Sequence, residues 1–137
     1  MPFVLDASVV LAWMLPDESS ERAQELVGRA AVERVHAPSL LLLEVGNALL
    51  QAQRRSRLSA RDRLALIEAF CALPIALDPV SAESTLRASE LAERCGLSLY
   101  DGSYLELCLS RRCAIATFDR RLASAARAEG VLVIGAD

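Results

Sequence analysis

Phe3-Val4-Leu5-Asp6-Ala7-Ser8-Val9-Val10-Leu11-Ala12-Trp13 begins with three bulky apolar residues, meets a lone acid, and then turns helical in pattern. A strand over residues 3–5 that ends at Asp6 and passes into a short helix through Trp13, stopped by Pro16, is the opening of a strand–helix–strand unit. The arrangement returns near the other end. Ala114-Ile115-Ala116-Thr117 reads as a short buried strand, followed by Phe118-Asp119, a helix from Arg120 to Ala128 and a last strand at Val131 to Ile134. Between these, the chain reads as an amphipathic helix from Ser19 to Glu33. After His36-Ala37-Pro38 comes a helix from Ser39 to about Arg55 that is apolar almost all round and is expected to be buried. Ser59 caps a further helix with Leu64, Ile67, Phe70 and Cys71 at helical spacing, and Pro74 ends it. A strand at Ile75-Ala76-Leu77, a helix from Ser81 to Arg94 closed by Gly96, and a second strongly apolar helix from Tyr100 to about Arg112 complete the order. Alternation of this kind implies an α/β fold, a three-layer α/β/α sandwich around a central parallel sheet. Ligands of such sheets bind beyond the carboxyl ends of the strands, where strand order reverses. Asp6 and Asp119 stand at two such ends.

The chain has 137 residues, 53% hydrophobic and only 4% aromatic, enough for one aliphatic core. With no linker, repeat or low-complexity block, a single domain over residues 1–137 is expected. No apolar run approaches the ~20 residues of a membrane span, and the start lacks the pattern of a signal peptide, so a cytoplasmic location is expected. Cys71, Cys95, Cys108 and Cys113 form no Cys-x-x-Cys pair and lie among apolar residues, which fits buried reduced thiols better than disulfides or zinc. All fifteen basic residues are arginine, which excludes chemistry that needs a lysine amine.

Each acid admits a plain reading as well as a chemical one. Asp6, Asp101 and Asp119 suit helix caps. Glu44 is harder to explain, because it lies in the apolar run Leu40-Leu41-Leu42-Leu43-Glu44-Val45 with no arginine one helical turn away. A carboxylate shielded from water needs a positive partner: a distant arginine, or a metal shared with other acids. The second accounts for more, since the helix opening at Tyr100-Asp101 repeats the anomaly. Four carboxylates gathered together repel, and an all-oxygen donor set selects Mg²⁺ or Mn²⁺. Ser8, Asn47 and Thr117 are placed to hydrogen-bond these acids. The net charge of −3 argues against a polyanionic partner only until those four carboxylates are set aside, when it becomes +1.

Taken together, four segments carry a family resemblance: Val4-Leu5-Asp6-Ala7-Ser8, Leu43-Glu44-Val45-Gly46-Asn47-Ala48-Leu49, Leu99-Tyr100-Asp101-Gly102-Ser103-Tyr104-Leu105 and Ala116-Thr117-Phe118-Asp119-Arg120-Arg121-Leu122. In this order and spacing the chain resembles the PIN-domain ribonucleases, and among them the VapC toxins of toxin–antitoxin pairs. Gly102 departs from the alanine common in relatives. The resemblance implies metal-dependent hydrolysis of RNA phosphodiester bonds, with Asp6, Glu44 and Asp101 as the principal Mg²⁺ or Mn²⁺ ligands and Asp119 serving a second metal or orienting water. It also implies an RNA substrate, a cognate VapB-like antitoxin and a homodimer.

Rival readings meet specific obstacles. A receiver module or an Asp-x-Asp phosphatase lacks its lysine or its second acid, because Ser8 stands two residues after Asp6. Neither Gly-x-Gly-x-x-Gly nor a P-loop is present. Ribonuclease chemistry with two histidines fails because His36 is the only one, and His36 is expected to be structural. A PIN nuclease of RNA processing with no toxin role, and a non-catalytic RNA or protein interaction domain, stay open. Arg54, Arg55, Arg57, Arg61 and Arg63 suit helix-end compensation and solvation as well as RNA contact. Trp13 and Met14 suit core packing as well as a groove for a partner helix.

Overall fold

In a computed structural model describing residues 1–16 and 20–136, five parallel strands form one sheet. Strand β1 (Phe3–Leu5) lies at its centre, paired on one side with β2 (Val35–Pro38) and on the other with β4 (Ala114–Thr117). Outside these run β3 (Ile75–Asp78) and β5 (Val133–Gly135), giving the order β3-β2-β1-β4-β5. Every residue of the three inner strands is buried, while the edge strands are half covered. That gradient is what a sheet covered on both faces requires. Helices α1 (Ala7–Met14), α2 (Glu21–Gly28), α3 (Leu40–Arg54) and α4 (Ala60–Cys71) contact one another, and α5 (Ala82–Cys95), α6 (Leu99–Arg111) and α7 (Arg120–Ala128) form a second contacting group. With right-handed crossovers these groups are the two outer layers of an α/β/α sandwich.

The structure departs from the sequence reading in several places. His36-Ala37-Pro38, left outside any strand, belongs to β2 beside β1. A proline and a lone histidine read as a break, yet a proline at the last position of a four-residue strand disturbs little of the ladder. The amphipathic helix is shorter than expected. Its proposed start at Ser19 lies outside the described residues, Ser20 caps it by accepting from the Ala23 amide at 3.1 Å, and it gives way at Arg29–Ala31 to a tighter turn.

Helix α3 is not buried all round. Leu41, Val45, Leu49 and Ala52 face the core, whereas Leu42 and Leu43 are 40% and 78% exposed. On α4 only Phe70 is buried, while Leu64 and Cys71 are exposed. Hydropathy records what a helix tolerates against its neighbours, and here neighbours cover one side only. The thiols follow the same lesson: all four are free, but only Cys108 is buried.

His36 is 5% exposed, with Nδ1 3.7 Å from Asp78 Oδ1, and burial holds its pKa below the usual imidazole value. Met14 and Leu15 are buried, and Trp13 packs against the core. Among the described residues, no helix is long and apolar enough to cross a membrane.

Candidate active site

The strand order reverses between β1 and β4, because the chain runs outward from β1 through β2 and β3 before returning to the other side of β1. Leu5 is in register with Ala116, and the Asp6 amide donates to Ala116 O at 3.0 Å, so the two strands deliver their acids side by side. Asp6 is the N-cap of α1, its carboxylate accepting from the Ser8 amide at 3.4 Å. The Ser8 hydroxyl donates to the same Oδ2 at 2.6 Å, and Thr117 Oγ1 donates to it at 2.8 Å. With their protons so used, both hydroxyls accept in turn, Ser8 Oγ from the Phe118 amide and Thr117 Oγ1 from the Asp119 amide, each at 3.0 Å. This closed net fixes Asp6 through Oδ2. Its Oδ1 makes no hydrogen bond among the described residues.

Asp119 follows the same plan. It caps α7 through Oδ1, which accepts from the Arg121 and Leu122 amides at 2.9 and 3.0 Å, and among the described residues its Oδ2 makes no hydrogen bond. Asp101 is the third residue of α6, where Ser98 caps the helix by accepting from the Asp101 amide at 3.1 Å. Glu44, on α3, is half-buried, and its Oε1 accepts from the Tyr104 hydroxyl at 2.7 Å. Among the described residues no arginine meets this carboxylate; a phenol does, and the shared-metal reading is a proposal. For Asp6 and Asp119 the capping and chemical readings are therefore compatible, since each cap uses one oxygen; Asp101 caps nothing, because Ser98 holds the N-cap of α6.

Electrostatics tie the four acids into one cluster. Burial raises the Asp6 carboxyl, the Ser8 and Thr117 hydroxyls pull it back, and the Asp119 charge raises it again. Burial, then Asp6, then Asp119 push Asp101 up to about 6, with Ser98 and Arg121 opposing. Glu44 is raised by burial first, with Tyr104 opposing and Asp6 and Asp101 adding to the rise. The Tyr104 phenol, raised by burial and by Glu44, stays protonated and donates. Hard oxygen donors under mutual repulsion suit a hard dication in kind and in charge. Among the described residues no three acid, histidine or cysteine side chains are gathered tightly enough to enclose an ion as they stand, so the fit is one of donor chemistry, with water completing the coordination, as Mg²⁺ commonly requires. Asp6 lies nearly buried at the bottom of this cluster, while Glu44, Asp101 and Asp119 are partly exposed around it.

Residues 3–128 match the family model of the PIN domain. The chain belongs to the PIN-domain family. It is 34% identical over 126 residues to ribonuclease VapC9 of Mycobacterium tuberculosis, covering 92% of each chain. In structure, this PIN domain resembles PAE2754 from Pyrobaculum aerophilum with a TM-score of 0.73 and 21% identity over 97% of this chain and 83% of that one. It also resembles the DNA-bound VapBC of Salmonella typhimurium with a TM-score of 0.72 and 17% identity over 98% of each chain.

Of the site residues named from sequence, Asp6, Ser8 and Thr117 are joined by hydrogen bonds, and Glu44, Asp101 and Asp119 lie near enough to act electrostatically on Asp6 or on one another. Asn47 does not join them; it is exposed on α3 and hydrogen-bonds none of the acids. Tyr104 was missed. The available signal was a tyrosine inside an apolar helix, one turn beyond Asp101, since a buried phenol needs a polar partner.

Proposed function

We propose that this PIN domain is an endoribonuclease dependent on Mg²⁺ or Mn²⁺ that hydrolyses RNA phosphodiester bonds as the toxin of a toxin–antitoxin pair. The reading is carried by one observation: Asp6, Glu44 and Asp119 are each anchored through a single oxygen at the carboxyl end of the sheet, beside Asp101, with the second oxygen open. Such an arrangement holds negative charge ready for cations while resisting collapse of the carboxylates onto their own backbone. A bound dication would neutralise phosphate charge and stabilise the departing oxygen. Ser8 and Thr117 keep Asp6 aimed, and Asp101, with its carboxyl near 6, is mostly ionised at neutral pH.

The likeness to ribonuclease VapC9 and to a VapBC complex supports the substrate class and an antitoxin partner. Exposed Leu42, Leu43 and Leu64 on α3 and α4 favour a chain that works with protein partners, the antitoxin and a second copy of itself, over a solitary processing nuclease. The cytoplasm, where RNA and antitoxin meet, is the matching location. The deciding experiment compares the purified chain and its Asp101→Asn variant on total cellular RNA with Mg²⁺, Mn²⁺ or EDTA. Cleavage by the parent with metal, its loss in EDTA and its loss in the variant are expected; chelator-insensitive cleavage by both proteins overturns the assignment.

A further inference from the structure

We infer that Tyr104 is a positioning residue for Glu44, its hydroxyl selecting which carboxylate oxygen α3 turns toward Asp6 and Asp101. This rests on the metal-dependent reading above. Tyr104 is fully buried on α6, and its hydroxyl reaches across to α3, sixty residues away in sequence, to meet Glu44 Oε1 at 2.7 Å. The geometry follows from the helix. Side chains lean toward the N-terminus of their own helix, so a residue one turn after Asp101 is carried back to the end that holds Asp101. Asp6 and Asp101 are the other charges acting on the same hydroxyl.

A buried phenol needs only some acceptor, and a purely structural tyrosine is satisfied by whichever is nearest. Here the acceptor is a half-buried carboxylate with part of its surface open to solvent, so the bond does more than satisfy the phenol. What the bond changes is freedom. Glu44 has a long, flexible side chain, and its neighbours Leu43 and Asn47 are exposed, so α3 itself does little to hold it. Tying Oε1 to Tyr104 limits that motion and leaves Oε2 for a ligand. It also spans α3 and α6, which belong to opposite layers, and so ties the two acid-bearing helices together beyond the end of the sheet.

The test is a double-mutant cycle on Mn²⁺ affinity, read from free Mn²⁺ by electron paramagnetic resonance, with melting in EDTA as the control for folding. Tyr104→Phe keeps the ring and removes the hydroxyl. It is expected to weaken Mn²⁺ binding about ten-fold, the scale usual for groups that orient a metal ligand, while the melting temperature in EDTA moves by only a few degrees. In a Glu44→Gln background the same change is expected to weaken binding no further, because Tyr104 acts through Glu44. Equal weakening in both backgrounds, or unchanged affinity in Tyr104→Phe, overturns the inference. Should the phenylalanine variant unfold, Glu44→Asp breaks the contact from the other side and keeps the charge; affinity equal to the parent's then overturns it. A parent chain that binds no Mn²⁺ or Mg²⁺ brings down the metal-dependent reading instead.

Discussion

At the scale of single residues, the site is a set of compromises between holding a charge and leaving it usable. Asp101 shows the cost most plainly. Its carboxyl is raised from 3.8 to about 6 by burial and by Asp6 and Asp119. A carboxyl raised in the fold favours folding when protonated; that contribution is complete below the unfolded value and disappears as pH rises through about 6. At neutral pH the ionised Asp101 therefore strains the fold. Asp101→Asn should raise stability in EDTA at about pH 7.5 by ~1 kcal/mol, discounted because the group is partly exposed, with a rise in melting temperature of roughly 3 °C. The gain should shrink as pH falls below 6. Differential scanning calorimetry across pH checks this, and a variant no more stable than the parent at the higher pH refutes it. Glu44 was read as needing an arginine or a metal, and the neutral phenol that meets it could not be paired with it from sequence, because the two sit on helices whose approach is set by the sheet between them.

At the scale of elements, the two glycines of the acid-bearing helices carry opposite lessons. Gly102 sits where α6 crosses α5: a Cβ there would lie 2.8 Å from Ala88 O and 2.9 Å from Ala92 Cβ. Backbone contact that close cannot be relieved by a side-chain rotation. The departure from alanine at this position is thus a packing requirement of this chain, since only glycine allows this close apposition of α6 to α5. Gly46 on α3 is different, since its Cβ would meet only Ile67 Cδ1 at an ordinary 3.5 Å. Gly46→Ala should stabilise by ~0.5–1 kcal/mol through helix propensity, whereas Gly102→Ala should destabilise by ~1–3 kcal/mol through overpacking. Melting of the two variants in EDTA tests the pair; a rise for both would mean that α5 and α6 yield easily. Composition alone shows the same glycine in both places. The strong apolar runs of α3 and α6 were legible, but not that α3 turns Leu42 and Leu43 outward, because exposure depends on which neighbours arrive.

At the scale of the whole molecule, the fold sets Asp6 and Asp119 at one reversal of strand order with Glu44 and Asp101 within electrostatic reach of Asp6, and a dication that relieves the repulsion should stabilise the chain by linkage. Excess Mn²⁺, at about a hundred times its dissociation constant, should add ~2.7 kcal/mol to the parent. The addition should vanish in EDTA and be largely lost in Asp6→Asn; thermal melts at several Mn²⁺ concentrations measure it, and an unchanged parent melt would remove the cation from the account. By itself the sequence determined the alternation of strands and helices, the parallel sheet it implies, and the acids at the ends of β1 and β4, because periodicity, caps and turn residues are local properties of the chain. It did not determine β2, whose proline is tolerated because it ends the strand beyond the register with β1, and whose histidine is covered because β1 and β3 flank it. Nor did it determine the bond from Tyr104 to Glu44, the close crossing at Gly102 or the bare face of α3. Those depend on distances between segments remote in the chain, and only the packed sheet with its two layers of helices brings them within reach.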